Sequence, residues 1–316
     1  MNSKTIKFTI AIPAYKPQFL KECIDSILSQ NYSNFEIIIV NDASPYDIDS
    51  IVYQYSDNRI RYYKNQVNCG AIHVVDNWNK CLDYSTGDYI ICMGDDDKLM
   101  PCCLDEYAKL IHNYPNYHLY HAWTQIINEN SIAIGMQEPR PIKESVYSLM
   151  YFRLVKYRMQ FIGDFLFEVK KLKQNGGFFN QPLAWASDDI SAWIAAKEKG
   201  VINSQIPLFQ YRINSQTITN NGIPEEIFKA LERREKWIRD FFKKEPSDDL
   251  DKLYYNKIKD NTNYRIKQLK QTEIKLDIYR HGILRFLYWL NHCRKYNISR
   301  VRVIYAFIEQ LKMKLR

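Results

Sequence analysis

The order of apolar segments along the first hundred residues is the strongest constraint on the fold. Phe8–Pro13, Phe35–Val40 and Tyr89–Met93 are short apolar runs rich in β-branched residues, as in strands that are buried on both faces. Between them, apolar residues recur at helical spacing over Leu20–Leu28 and Ala71–Leu82. Strand–helix–strand units of this kind predict an α/β fold with a mostly parallel sheet. Ligands of such sheets bind beyond the carboxyl ends of the strands.

The remainder of the chain predicts fewer strands and then only helices. The expected elements are a helix over Leu104–His112, a strand over His118–Ile127, a loop over Glu138–Tyr147, a strand over Phe165–Val169, a helix over Ile190–Lys199 and a strand over Gln205–Tyr211. No strand pattern competes with helix after residue 225. We therefore predict one α/β domain over residues 1–224, with halves of about 1–115 and 116–224, and a helical extension over 225–316.

Composition is that of a folded protein of the reducing cytoplasm. Hydrophobic residues make up 46% of the 316 residues and charged residues 25%, which excludes wholesale disorder. The seven cysteines form no C-x-x-C pair, which favours reduced thiols over disulfides or a zinc site. The first residues lack the pattern of a signal peptide, and no apolar stretch is long enough to span a bilayer.

Positive charge is concentrated at the carboxyl end. Residues 261–316 contain 13 Lys and Arg against 3 Asp and Glu. An apolar stripe at helical spacing lies in the same region: Val301, Ile304, Tyr305, Ile308, Leu311 and Leu315, surrounded by Arg300, Arg302, Lys312, Lys314 and Arg316. Ile283–Leu290, just before it, is rich in aromatic residues. This pattern predicts peripheral contact with an anionic membrane face, or packing of the stripe on the domain over 1–224 or on a partner subunit. No nucleic-acid-binding motif accompanies it.

Polar residues follow three of the predicted strands. Pro13, Ala14 and Tyr15 end the first strand, Asn41 and Asp42 the second, and the acidic turn Asp95–Asp97 the third. The first turn contains no glycine, which excludes the Rossmann mode of dinucleotide binding.

Three adjacent carboxylates repel one another unless a cation compensates for their charge. Mg²⁺ or Mn²⁺ bound by one or two carboxylates and a substrate phosphate would do so. The alternative is a solvated acidic turn before the helix that begins near Pro101.

In this order and at this spacing, the segments Ile12–Tyr15, Val40–Ser44 and Gly87–Pro101 resemble the donor site of family 2 of the GT-A glycosyltransferases. Further segments resemble other motifs of that family. Asn68–Gly70 together with Asn77 resembles its N-x-G…N segment, and Arg212–Thr217 resembles its R-x-H-x-x-S element. Asn175–Phe178 together with Ser187–Asp189 resembles its G-G-F…E-D motif. The resemblance covers about residues 6–220.

The resemblance implies a GT-A fold and a role for each matching residue. Pro13, Ala14 and Tyr15 would shape the nucleoside pocket, and Asp42 would accept a hydrogen bond from uracil N3–H. The other implied donor-site residues are Asn68, Gly70, Asn77, Asp95 and Asp96, of which Asp95 or Asp96 would face the ribose or a metal-bound water. Asp97 would bind Mn²⁺ or Mg²⁺.

Asp189 would be the general base of an inverting transfer from a UDP-sugar to a hydroxyl of a saccharide or lipid-linked acceptor. The implied setting is surface polysaccharide synthesis on the cytoplasmic side of the membrane.

Three residues depart from the family's pattern. Asn41 and Gly94 stand where many members carry an acidic residue, and Asn214 stands where a histidine often approaches the metal. Because an amide is a weaker cation ligand, Asn214 leaves open a catalytically impaired sugar-nucleotide-binding protein. A nucleotidyltransferase is a further alternative, although its phosphate loop would offer only Lys16.

Overall fold

The structure is a computed structural model that describes residues 5–214 and 223–314, with side chains described as far as Leu311. The strands are β1 Phe8–Ala14, β2 Phe35–Asn41, β3 Ile60–Lys64, β4 Tyr89–Cys92, β5 Lys98–Leu99, β6 Leu119–Ile127, β7 Ala133–Met136, β8 Lys143–Glu144, β9 Phe165–Glu168 and β10 Val201–Arg212. The helices are α1 Leu20–Leu28, α2 Asp49–Val52, α3 Val74–Tyr84, α4 Cys103–Asn113, α5 Val146–Leu154, α6 Val169–Gln174, α7 Ser187–Ala196, α8 Pro224–Phe241, α9 Asp249–His281, α10 Ile283–His292 and α11 Arg300–Lys314.

Within these residues, the ten strands form one mixed sheet. Its order is β3-β2-β1-β4-β9-β6-β10-β5, with β7 paired to β6 and β8 paired to β10. The four strands β3, β2, β1 and β4 are parallel, as the sequence predicts for β1, β2 and β4, and β9 is antiparallel to both of its neighbours. The carboxyl ends of β1, β2 and β4 therefore meet at one edge, which brings their polar turns together.

The structure corrects the sequence prediction in two places. The loop predicted over Glu138–Tyr147 contains the short strand β8 and the start of α5. The last strand begins at Val201 instead of Gln205, because β10 continues past a register shift around Pro207 in its pairing with β6. Neither β7 nor α5 was predicted.

The chain divides into two compact units, one of Met1–Arg153 with Tyr157–Asn220 and one of Leu154–Lys156 with Asn221–Arg316. The first contains the sheet, and the helices α8–α11 belong to the second. We retain as a proposal the division into a catalytic domain over 1–224 and an extension over 225–316. No helix among the described residues is both long and apolar enough to cross a bilayer.

A buried carboxylate ties β2 to its neighbours. Glu36 accepts hydrogen bonds from Thr9 Oγ1 at 2.7 Å, from the Thr86 backbone N–H at 2.6 Å and from Arg61 Nη1 at 3.1 Å. Burial alone would raise the pKa of Glu36, but these bonds outweigh it and lower the pKa to about 2.

Replacement of Glu36 by Gln is expected to lower the free energy of unfolding at pH 7 by about 3 kcal/mol. The folded pKa lies below the ordinary value, so this contribution is full above about pH 4.5 and is lost as the pH falls toward 2. Urea denaturation across this range should show the wild type and Glu36→Gln converging at low pH. The exposed Glu138→Gln serves as control, and a constant difference at every pH would contradict the assignment.

Candidate active site

The acidic turn after β4 is held in place by backbone N–H groups. Asp95 Oδ2 accepts hydrogen bonds from the N–H groups of Tyr15 and Lys16, each at 2.7 Å, which join the ends of β1 and β4. Asp97 Oδ1 accepts from the Arg212 N–H at 3.0 Å and Asp97 Oδ2 from the Gly94 N–H at 3.3 Å. Asp95 and Asp97 are therefore buried and engaged by the protein itself.

Asp96 is the most open carboxylate of the three. It is half-buried, and Asn214 Nδ2 donates a hydrogen bond to its Oδ2. A Cβ atom at Gly94 would lie 2.6 Å from Asp96 Oδ1 and 3.0 Å from Asp97 Oδ2. The absence of a side chain at Gly94 therefore leaves room for the carboxylates of Asp96 and Asp97 beside the end of β4.

Charge repulsion and burial disfavour ionisation of the whole turn. Burial and the neighbouring Asp96 raise the pKa of Asp95 to about 6, and the same two causes raise the pKa of Asp97 well above its ordinary value. Burial also raises the pKa of Asp96, against the hydrogen bond from Asn214 and the charge of Lys16. A bound cation would relieve this repulsion.

Arg212, at the end of β10, fixes the turn from the other side. Its buried guanidinium donates from Nε to the carbonyl of Asp96 at 2.7 Å, and from Nη2 to Glu22 at 3.1 Å. Nη1 donates to the carbonyls of Asn128 and Glu129, both at 3.1 Å. Arg212 thus joins the acidic turn, helix α1 and the loop after β6. The continuation of its motif, Ser215–Thr217, lies outside the described residues.

The loop after β2 is built around Asp42. Its Oδ1 accepts from Asn65 Nδ2 at 2.7 Å and from the Cys69 N–H at 2.9 Å, and its carbonyl accepts from Asn68 Nδ2 at 2.6 Å. Gly70, at a φ of +75°, places its N–H against Asn68 Oδ1. The predicted donor residues Asp42, Asn68 and Gly70 therefore belong to one hydrogen-bonded network, which joins the loops after β2 and β3.

Asn77 joins that loop to the sheet. Its Nδ2 donates to the carbonyl of Val40 at 3.1 Å, and its Oδ1 accepts from Asn65 at 3.0 Å. Lys80 Nζ lies 3.0 Å from Asn65 Oδ1, which places a cation beside this network.

The end of β1 presents one aromatic side chain to solvent. Tyr15 is 38% exposed and meets Tyr46 edge to face, whereas Ala14 is fully buried and Pro13 is half-buried. Ser44 Oγ donates to the carbonyl of Tyr15 at 2.6 Å. A ligand here would meet the ring of Tyr15 and the backbone, but not the side chain of Ala14.

The two acceptor-side carboxylates differ sharply in exposure. Asp189, in the first turn of α7, is 0% exposed, and its Oδ1 accepts from Arg153 Nε at 2.7 Å and from Gln160 Nε2 at 3.0 Å. Asp188 is half-buried. Burial opposes ionisation of Arg153, but the charges of Asp189 and Asp188 hold its pKa above the ordinary value.

The backbone before α7 is strained. Leu183, Ala184 and Ala186 all adopt positive φ, which is unfavourable for residues with a Cβ and is often found at functional sites. The turn Gly176–Phe178, which precedes this segment, is hydrogen-bonded to α3. The side chain of Asn79 donates to the carbonyl of Phe178 at 3.2 Å and accepts from the Phe178 N–H at 2.8 Å. Asn79 therefore connects the helix that carries Asn77 of the donor site to the Gly-Gly-Phe turn of the acceptor-side motif.

Tyr211 links residues beside the acidic turn to residues beside Asp189. Its ring stacks on Phe161 with the ring centroids 3.6 Å apart. Burial raises the pKa of Tyr211, and the charges of Asp97, Asp96, Asp164 and Asp188 raise it further. The Arg212 N–H, next to Tyr211, donates to Asp97, and Gln160, next to Phe161, donates to Asp189. A chain of contacts therefore joins the acidic turn to the buried carboxylate of α7.

Several of these residues escaped the sequence analysis: Asn65, Asn79, Arg153, Gln160 and Tyr211. Two had a usable signal, since Asn79 follows Asn77 on the same helix and Tyr211 precedes Arg212. Arg153 and Gln160 lie in a segment without clear periodicity.

Among the described residues, no group of three or more His, Cys, Asp and Glu side chains is arranged to hold a metal ion. The carboxylate oxygens of the acidic turn are nevertheless the ligand type that Mn²⁺ and Mg²⁺ take when substrate phosphates complete the shell.

The chain is similar to known glycosyltransferases in sequence and in fold. WfgD of Escherichia coli, named UDP-Glc:alpha-D-GlcNAc-diphosphoundecaprenol beta-1,3-glucosyltransferase, is 26% identical over 257 residues, 78% of this chain and 89% of that protein. S. aureus TarS 1-349 in complex with UDP-GlcNAc matches with a TM-score of 0.63 at 15% identity, over 96% of this chain and 92% of that one.

The mannosyltransferase PcManGT from Pyrobaculum calidifontis, in complex with GDP-Man and Mn²⁺, matches with a TM-score of 0.55 at 14% identity, over 96% and 86% of the two chains. These likenesses confirm the GT-A fold. The model of the family described as Glycosyl transferase family 2 matches residues 9–178, more than half of the chain. The chain therefore belongs to glycosyl transferase family 2 and is a glycosyltransferase.

Proposed function

We propose that this glycosyltransferase is an inverting, metal-dependent enzyme that transfers a sugar from a UDP-sugar to an acceptor hydroxyl. The observation that supports the proposal is a chain of contacts from the acidic turn to Asp189. The Arg212 N–H donates to Asp97, the neighbouring Tyr211 stacks on Phe161, and Gln160, next to Phe161, donates to Asp189. A donor bound at the turn would then present its anomeric carbon toward the acceptor side.

The nucleoside end of the donor is assigned to the Asp42 loop. The side chain of Asn65 and the Cys69 N–H both donate to Oδ1 of Asp42. We assign Oδ2 of Asp42 as the acceptor for the N3–H of uracil. Tyr15 would pack on the base or ribose. WfgD is named for transfer from UDP-Glc, and the TarS structure is a complex with UDP-GlcNAc, which supports a uridine nucleotide. PcManGT contains GDP-Man, so the fold alone does not choose the base.

We assign the metal to Asp96 first, in place of Asp97, because Asp97 is buried with both oxygens accepting backbone N–H groups. Asp96 has the open carboxylate, and Asn214 orients it. A bound Mn²⁺ or Mg²⁺ would stabilise the negative charge on the departing diphosphate. Asp95 would hold the end of β1 in place for the ribose.

Asp189 is proposed to take the proton of the acceptor hydroxyl. Arg153 and Gln160 both donate to its Oδ1 and so orient the carboxylate at the start of α7. A single base and a single displacement lead to inversion at the anomeric carbon. Because Asp189 is fully buried, the acceptor must displace part of its cover, and Asp188 is the more accessible rival for the same role.

The acceptor is proposed to be a saccharide, free or carried on a lipid diphosphate, in the synthesis of a surface polysaccharide. WfgD supports this, since its name specifies a diphosphoundecaprenol-linked acceptor.

A sugar-nucleotide-binding protein with impaired turnover is the second candidate. It is favoured by two observations: the ion pair that occupies the buried Asp189, and the amide of Asn214 where a histidine often stands. Binding of UDP without turnover of any donor would support it.

Calorimetry with UDP, GDP and CMP in the presence of Mn²⁺ tests the donor assignment. UDP is expected to bind tightest, and Asp42→Ala to weaken UDP binding by about 1.5–3 kcal/mol, the usual cost of losing a charged hydrogen bond. Asp42→Asn is a more specific test than Asp42→Ala. The amide keeps an oxygen that accepts from the Cys69 N–H, but its NH₂ group would face the N3–H of uracil, where an acceptor is needed. The exposed Asp83→Asn should bind as the wild type does. Equal binding of all three nucleotides would refute the assignment.

A further inference from the structure

The helical unit bears an apolar stripe that its own packing leaves in solvent. The stripe on α11 consists of residues that are 42–59% exposed: Val301, Ile304, Tyr305, Ile308 and Leu311. The opposite face of α11 is its packing face, where Val303 and Ala306 are fully buried. Leu315 and Arg316, and the side chains of Lys312 and Lys314, lie outside the described residues. The stripe is thus not part of the core of its unit.

A second exposed stripe lies on α10. Ile283, Leu284 and Leu287 are 48–75% exposed, although Trp289 on the same helix is fully buried. The rings of Phe286 and Phe307 stack with centroids 4.3 Å apart and join α10 to α11. We call these two stripes together the apolar face of α10 and α11.

The apolar face is accompanied by an excess of positive charge. Residues 282–316 contain eight Lys and Arg and one acidic residue, Glu309. Arg294, Lys295 and Arg300 are exposed. Arg285 is instead held in ion pairs with Asp277 at 2.5 Å and Glu225 at 2.6 Å, so it stabilises the unit. The exposed cations are therefore available to an external partner.

We propose that the apolar face of α10 and α11 docks on an anionic lipid bilayer, with the two helices lying in the headgroup layer. Apolar side chains enter the boundary of the acyl chains, and exposed Lys and Arg contact the acidic headgroups. A second copy of this chain could also cover an apolar face, but it would bring two cationic surfaces together. An anionic bilayer provides both the apolar environment and the opposite charge.

This docking would place the catalytic unit where lipid-linked saccharides are found. It does not depend on the donor or on the metal, since none of its residues belongs to the candidate active site. At about 1.5 Å per residue, α10 and α11 are shorter than the hydrocarbon core is thick, which fits helices that lie on a bilayer.

Flotation of the full chain with vesicles tests the proposal. The protein should float at low salt with phosphatidylcholine vesicles that contain phosphatidylglycerol, but not with phosphatidylcholine alone. Because each nearby cation contributes about fivefold to partitioning, Arg294→Gln, Lys295→Gln and Arg300→Gln together should weaken binding about a hundredfold. Leu284→Glu with Ile304→Glu should weaken it at least as much.

The matched control is Leu250→Glu with Leu253→Glu on α9, which are 57% and 53% exposed and lie off the apolar face. This variant should float as the wild type does. All variants should keep the wild-type circular dichroism and UDP binding, which separates this test from that of the donor site. Failure of the wild type to float with anionic vesicles would overturn the proposal. A dimer that Leu284→Glu with Ile304→Glu dissociates, without vesicle binding by the wild type, would assign the face to a second copy.

Discussion

Asp96→Asn is expected to lower Mn²⁺-dependent turnover by about a thousandfold or more, the loss that follows when several kcal/mol of charge stabilisation leave the transition state. The substitution keeps the hydrogen-bonding shape toward Asn214 but removes the open charge of the acidic turn. Steady-state release of UDP, titrated with Mn²⁺, measures the effect. The melting temperature should change little, because Asp96 is the least buried of the three carboxylates.

Asp97→Asn separates the two possible metal assignments. Its carboxylate accepts N–H bonds from Arg212 and Gly94, and an amide would turn a donor toward one of them. We therefore expect a lower melting temperature together with lost activity, and Asp83→Asn should change neither. If Asp97→Asn loses activity without a change in melting temperature, and Asp96→Asn stays active, the metal is bound by Asp97 and not by Asp96.

Asp189→Asn is expected to lower turnover by about 10²–10⁴, the usual contribution of a general base, while UDP binding persists. Asn retains an oxygen that can face Arg153 Nε, so the local structure should survive. Rapid-quench measurement of a single turnover isolates the chemical step from product release.

Asp188→Asn is the matched control for this loss, because it removes the neighbouring charge in the same helical turn. It should lower turnover by less than tenfold. If Asp188→Asn carries the large loss and Asp189→Asn does not, the buried ion pair with Arg153 is structural and the base is the more exposed residue.

The fold of the donor half was predictable because β1, β2 and β4 are largely buried on both faces. Every residue of β2 is buried, so the strand reads as an unbroken apolar run, and helical periodicity stands out on either side. Parallel connections then place the turns after β1, β2 and β4 at one edge. The same reasoning failed over residues 138–147, where β8 has two residues and its pairing with β10 depends on a distant segment.

Within the site, residue type was predictable but orientation was not. Asp95, Asp96 and Asp97 are identical in chemistry and adjacent in sequence, yet only the fold decides which two meet backbone N–H groups. The partner of Asp189 was also hidden, because Arg153 lies 36 positions away and its segment carries no motif. Long-range pairs of this kind are set by tertiary packing and leave no local pattern.

The central claim is inverting transfer from a UDP-sugar, and the anomeric configuration of the product tests it most directly. The protein would be incubated with a panel of α-linked UDP-sugars, Mn²⁺ and a saccharide diphosphate lipid acceptor, and the product examined by proton NMR. We predict release of UDP that stops when EDTA removes the metal, and a β-linked product. An α-linked product, or turnover that persists in EDTA, would contradict this account.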